Sequence, residues 1–245
     1  MSSLKENENE QQAQNEKDNN LDFSYQILPS DYSESDINFK IIIIGDTNVG
    51  KSCLTYRAVK NVYIENNTST IGFDFYTFFL LLNNQRIQLQ IWDTCGQEMY
   101  KSLVYNFYKN SSLAFLVYSI TSKESFDNLQ YWIRELKNQT SVGSKIFLIG
   151  NKNDLEDKRQ VSHELANKFK EDECLDFFME TSAKTGYNSQ AIFVEAAKIL
   201  YKEYLFYKDK TNNSFSYVSF ENPKLNNAKL KLPKPKNKAN HVGCC

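Results

Sequence analysis

Long apolar runs are missing from this chain of 245 residues. No stretch reaches the roughly 18 apolar residues of a membrane-spanning helix, and the N-terminus lacks the apolar core of a secretory leader. A cytosolic protein is therefore expected. Cysteine is sparse as well: the five are an odd number, without the spacing of a zinc site or a disulfide framework, which fits a reducing compartment. Cys53, Cys95 and Cys174 read as small core or near-site residues, whereas Cys244 and Cys245 end the chain. The two histidines, His163 and His241, read as surface residues. Apolar side chains are nearly absent from MSSLKENENEQQAQNEKDNN, so this segment cannot bury enough surface to offset the entropy of ordering and is expected to be disordered.

What is present suits one globular domain with room for tails, since 41% of residues are hydrophobic and 24% charged. The formal net charge of -1 conceals two opposed ends. Residues 1–39 hold nine acidic side chains against Lys5 and Lys17, and residues 222–245 hold six lysines and no acid. Between them the pattern becomes that of an α/β protein. FKIIIIG from Phe39, LAFLVYSI (113–120) and KIFLIGN (145–151) read as strands buried on both faces. Segments 124–138, 161–172 and 188–207 carry apolar residues at helical spacing. FDFYTFFLLL (73–82) and RIQLQIW (86–92), split by Asn83-Asn84-Gln85, predict a hairpin and hence a mixed sheet.

Several glycines fall where predicted strands end, the edge at which such sheets bind ligands. Gly45-Asp46-Thr47-Asn48-Val49-Gly50-Lys51-Ser52 matches the phosphate-binding string GxxxxGK[ST] between a strand and a helix. Its loop N–H groups can point at phosphates, Lys51 can reach the β- and γ-phosphates, and Ser52 offers a hydroxyl to Mg²⁺. After the next buried strand comes Trp92-Asp93-Thr94-Cys95-Gly96-Gln97-Glu98. There Asp93 can hold the metal through water, Gly96 can donate its N–H to the γ-phosphate, and Gln97 can orient the attacking water. Asn151-Lys152-Asn153-Asp154 follows a third strand. Asp154 can accept from N1–H and the N2 amine of guanine, a pair that adenine lacks, while the Lys152 stem stacks on the ring. Glu180-Thr181-Ser182-Ala183-Lys184 completes the set, with the Ala183 N–H placed to meet guanine O6.

Four motifs in this order closely resemble the Ras superfamily, over about residues 38–208, and within it the Rab family. Ser69-Thr70-Ile71-Gly72-Phe73-Asp74-Phe75 resembles the Rab switch I, and WDTCGQE resembles the Rab WDTAGQE. The resemblance implies a P-loop NTPase with a Ras-like G domain, a mixed six-stranded sheet with helices on both faces, and flexible tails over 1–37 and 209–245. It implies Thr70 as a second Mg²⁺ ligand beside Ser52, and Tyr63 packing edge-on to the base. Phe75, Trp92 and Phe107 fall where Rabs carry an aromatic trio that contacts effectors. An exchange factor, a GTPase-activating protein and a prenyl-shielding carrier are the implied partners, with no nucleic acid. Cys95, Met99-Tyr100, Ser119 and the string FYKNS depart from the family pattern, and none removes a group needed for nucleotide or metal.

The tail KLNNAKLKLPKPKNKANHVGCC is broken by prolines and cannot hold a stable helix. Its terminal Cys244-Cys245 resembles the Rab ending that receives two geranylgeranyl groups, and two chains anchor where one is marginal. Three functions compete. A GTP-hydrolysing switch, turning over on the order of 10⁻⁴ per second without an activator, uses Gln97, Lys51 and Thr70. A nucleotide-locked adaptor is opposed by the presence of Gln97, Thr70 and Ser52, and a P-loop kinase or ATPase by the guanine-selecting strings.

Overall fold

The computed structural model describes residues 23–65, 72–94, 108–139 and 144–211. In chain order the strands are Tyr25–Ile27 (β1), Ile37–Ile44 (β2), Phe73–Leu82 (β3), Gln85–Thr94 (β4), Leu113–Ser119 (β5), Lys145–Asn151 (β6) and Phe177–Glu180 (β7). The helices are Lys51–Lys60 (α1), Lys123–Asp127 (α2), Leu129–Gln139 (α3), His163–Asp172 (α4) and Ala191–Thr211 (α5), with a 3-10 turn over Asn153–Lys158. Strand order is β1-β3-β4-β2-β5-β6-β7. From β4 to β7 neighbours run parallel, and β3 is antiparallel to both β1 and β4. Backbone contacts divide the chain at Phe206 and Tyr207, and the described part of the second unit is the end of α5.

The isoleucine run in β2 shows why the sheet is wrapped on both faces. Side chains alternate along a strand, so Ile41 and Ile43 meet Leu54 and Ala58 of α1 and Phe193, Ala196 and Ala197 of α5. Ile42 and Ile44 join the opposite layer, with Trp132, Ile133 and Leu136 of α3 and Ala166 of α4. Each isoleucine in this run is at most 1% exposed. Four such burials at roughly 2 kcal/mol each are the strongest local reason for β2 to be central. Ser122 and Ser162 cap α2 and α4 by accepting from the N–H groups of Ser125 and Leu165. The β3–β4 turn is two residues, Asn83 and Asn84, both at positive φ (46° and 63°), which asparagine tolerates and which matches strand twist.

The structure differs from the sequence reading in four elements. It has seven strands rather than six, because β1 lies inside the span 1–37 expected to be disordered. Tyr25, Gln26 and Ile27 pair with Leu82, Leu81 and Leu80, and Phe23 is 5% exposed with its ring edge-on to Tyr201 at 5.6 Å. One buried aromatic and a free sheet edge suffice to recruit a segment that composition alone marks as polar. The helix expected over 124–138 is split at Asn128 into α2 and α3. The last helix runs to Thr211, and β7 precedes the Thr181-Ser182 string without a pattern long enough to announce it.

Candidate nucleotide-binding site

Every motif follows the carboxyl end of a parallel strand, so the sheet brings four distant strings to one edge. The loop after β2 is possible only with its glycines. Gly45 has φ +138° and a Cβ there would lie 2.1 Å from the Val117 carbonyl oxygen; Gly50 has φ +95° and its Cβ would lie 2.4 Å from Asn151 Nδ2. Helix α1 starts from Gly50 with no side-chain cap and no acidic residue in its first turn, which leaves its leading N–H groups for an anion. Lys51 is 6% exposed, and its Nζ donates to the Gly45 and Asp46 carbonyls at 2.8 and 2.7 Å, drawing the loop's mouth around the ammonium. Thr47 and Asn48 are exposed and Val49 is buried.

Asp46 is held from outside the loop. Its carboxylate accepts from Trp132 Nε1 and Asn128 Nδ2, both at 2.7 Å, so what Asp46 offers a ligand is backbone. Trp132 and Asn128 were not legible as site residues, because their link to the loop exists only once α3 packs beside β2.

Asp93, at the end of β4, is fully buried, with the Ser52 hydroxyl and the Lys51 ammonium as the groups that favour its charge and no close hydrogen bond to either carboxylate oxygen. Burial pushes it up to about 6, against the pull of the Ser52 hydroxyl and the Lys51 cation. A carboxylate is expensive to bury without compensation, and the chemistry that compensates a lone carboxylate beside a P-loop serine is a hard divalent cation with its waters. Ser52 and Asp93 thus fit Mg²⁺. Among the described residues no group of three His, Cys, Asp or Glu side chains gathers.

The base side is braced by Asn151, 1% exposed. Its Nδ2 donates to the Val49 carbonyl at 2.9 Å, and its Oδ1 accepts from Thr181 Oγ1 at 3.2 Å and the Ala183 N–H at 3.3 Å. One side chain therefore ties the phosphate loop to both base-side strings. Lys152, at φ +71°, stretches its stem across to donate from Nζ to the Asn48 carbonyl at 2.6 Å, and burial lowers its pKa. Ser182 Oγ donates to Asp154 Oδ1 at 2.6 Å. Lys184 is exposed; Cys53 and Tyr63 are half-buried against the α1 layer. Sequence reasoning missed Arg57, whose Nη2 donates to the Thr185 carbonyl at 3.1 Å over Gly186, and Arg159, which grips Glu180. No motif string contains either arginine.

Phe75 is 48% exposed and meets Trp92 edge-on at 5.1 Å, and Phe73 lies 5.5 Å from the same ring. Thr70, Gly96, Gln97, Phe107, Cys244 and Cys245 lie outside the described residues.

A glycine-built loop around Lys51, the buried Asp93 and the strings braced by Asn151, gathered at one edge of a mixed sheet, are the arrangement of a P-loop nucleoside triphosphatase. Residues 40–202 match the model of the Ras family. The chain is 45% identical over 168 residues to the Ras-related protein RHN1 of Nicotiana plumbaginifolia, covering 69% of this chain and 84% of that one. It is 44% identical over 166 residues to the Ras-related protein Rab5 of Nicotiana tabacum (68% and 82%), and 40% identical over 166 residues to the Ras-related protein Rab-8A of Pongo abelii (66% and 78%). The chain belongs to the Ras family of small GTPases, on its Rab branch. Members of this family bind GTP and GDP and are GTP hydrolases.

Proposed function

We propose that this chain is a Rab-type switch that binds GDP and GTP with Mg²⁺, hydrolyses GTP to GDP and phosphate, and regulates vesicle trafficking from the cytoplasmic face of an intracellular membrane. The observation that carries the reading is Asp93, a fully buried carboxylate set beside Ser52 and Lys51 at the mouth of the phosphate loop.

Ser52, Thr70 and, through water, Asp93 hold the metal. A Mg²⁺ ion held there would supply positive charge against the charge that develops on the phosphates. Lys51 releases its loop carbonyls to the β- and γ-phosphate oxygens, aided by the loop N–H groups from Asp46 to Cys53. Gln97 orients the attacking water, and the Gly96 N–H follows the γ-phosphate. Asp154 accepts from N1–H and N2 of guanine, Ala183 and Lys184 border O6, Lys152 and Tyr63 flank the ring, and Asn151 keeps the loops at their spacing. Loss of the γ-phosphate releases the segments around Thr70 and Gly96, which is the switch. Effectors read Phe75, Trp92 and Phe107, and lipid on Cys244 and Cys245 supplies the anchor.

The test is single-turnover hydrolysis by the GTP-loaded chain. Slow conversion to GDP, on the order of 10⁻⁴ per second and slower still in Gln97→Leu, supports the switch. GTP that stays intact over many hours would instead mark a nucleotide-locked adaptor.

A further inference from the structure

Between Lys152 and Asp154 stands Asn153, at the one position of the base-reading string whose side chain has no assigned task. We propose that Asn153 is a specificity-positioning residue: through Glu180 it sets the angle at which the Asp154 carboxylate meets the base. This rests on the guanine reading given above.

Asn153 is fastened twice to the strand that leads into the second base-side string. Its N–H donates to the Thr181 carbonyl at 3.0 Å, and its Nδ2 donates to Glu180 Oε2 at 2.8 Å. Glu180 cannot swing to follow a different geometry. It is 9% exposed, and Arg159 holds both of its oxygens, Nη1 to Oε1 at 2.7 Å and Nη2 to Oε2 at 2.8 Å. The same guanidinium grips Glu156 and the Val161 carbonyl, and Asn188 Nδ2 donates to the Glu180 carbonyl at 2.9 Å.

The backbone carrying Asp154 needs such a clamp. It is a 3-10 turn entered through left-handed Lys152 and broken at Leu155 (φ −104°, ψ 46°), so regular helix bonds do not fix it. Ser182 holds one Asp154 oxygen. A single bond allows the carboxylate to pivot about it, whereas a second, charge-assisted bond one residue away removes that pivot. Guanine presents two donors in one plane, and hydrogen bonds weaken steeply with misalignment. A pivoted carboxylate keeps the N1–H bond and loses the N2 bond. The signature is discrimination against hypoxanthine, which lacks the N2 amine.

The experiment is competition binding of GDP, IDP and ADP to the full chain, with thermal midpoints measured alongside. Asn153→Ala lowers the ratio of IDP to GDP dissociation constants roughly three- to tenfold while the chain stays folded. Asn153→Asp, which sets a second carboxylate against Glu180, lowers it further. Combining Asn153→Asp with Glu180→Gln recovers part of it, because the new amide donates to the introduced carboxylate at the cost of one bond from Arg159. A wild-type ratio in Asn153→Ala, or equal weakening of GDP and IDP, overturns the inference; should Asn153→Asp fail to fold, Asn153→Ser reads the same ratio. If the wild-type chain does not prefer GDP to ADP, it is the guanine reading that fails.

Discussion

Ser182 and Asp154, 28 positions apart in the chain, meet at 2.6 Å because β6 and β7 are parallel neighbours whose ends deliver their loops to the same place. The serine hydroxyl donates, so Asp154 is held as an acceptor, the state that guanine's two donors require. Asp154→Asn replaces one acceptor oxygen with a donor, and the variant is expected to lose guanine affinity and to favour xanthine, whose C2 carbonyl accepts from the new amide. Ser182→Ala keeps the guanine preference but weakens GDP binding by about tenfold, the cost of one charge-assisted bond. Titration with GDP and XDP checks both.

Residues 23–36 belong to the folded body, and their removal has a definite cost. Phe23 packs edge-on to Tyr201, and Tyr32 meets Phe79 edge-on at 5.8 Å. Phe79 is only 4% exposed although it joins neither helical layer among the described residues. Phe23→Ala is expected to cost about 3 kcal/mol and Tyr32→Ala about 1 kcal/mol, read as shifts of the urea midpoint of the GDP-bound chain. Midpoints equal to wild type would mean that β1 adds nothing to the domain.

Arg86 predicts how this segment responds to acid. Its guanidinium and backbone N–H donate to the Asp36 carboxylate, at 2.7 and 3.1 Å from the side chain and 2.8 Å from the backbone, and Glu34 pairs with the same guanidinium. The Arg86 side-chain bonds, then the backbone bond, hold Asp36 down at about 2, from an ordinary 3.8. A depressed carboxylate contributes stability above its unfolded pKa and loses it as pH falls through the folded one. The thermal midpoint gap between wild type and Asp36→Asn is therefore constant near neutrality and closes between about pH 4 and 2. A gap unchanged down to pH 3 would contradict the pairing.

The tail is tested by fractionation. No helix among the described residues is long and apolar enough to cross a membrane. Two isoprenoids on the proposed cysteines, at about 0.8 kcal/mol per buried CH₂, would hold far more firmly than lysines at about 1 kcal/mol each. Replacing Cys244 and Cys245 with serine should move the protein wholly to the soluble fraction with GDP binding intact, and one cysteine alone should attach weakly. A double variant that still pellets with membranes would place the anchor elsewhere.

Much of this was readable in the chain because the central strands are runs that water excludes on both faces, and each motif sits where such a run stops. The Ile41 to Ile44 run and the all-buried β5 leave no alternative to a parallel core. β1 escaped notice because three residues cannot establish a period, and its pairing depends on the edge that β3 leaves open. Arg159 and Glu180, or Asp46 and Trp132, become partners only through tertiary packing, so no local pattern marks them. The break at Asn128 has the same origin, since its side chain is drawn to Asp46 across the loop.

The most direct measurement is the identity of the nucleotide that leaves the purified chain when EDTA is added. Asp93 and Ser52 fit a metal and Asp154 with Ser182 fits guanine, so the account predicts GDP or GTP in near one-to-one amount, released much faster once the metal is chelated. Adenine nucleotide in its place, or guanine nucleotide whose release EDTA leaves unchanged, would contradict it.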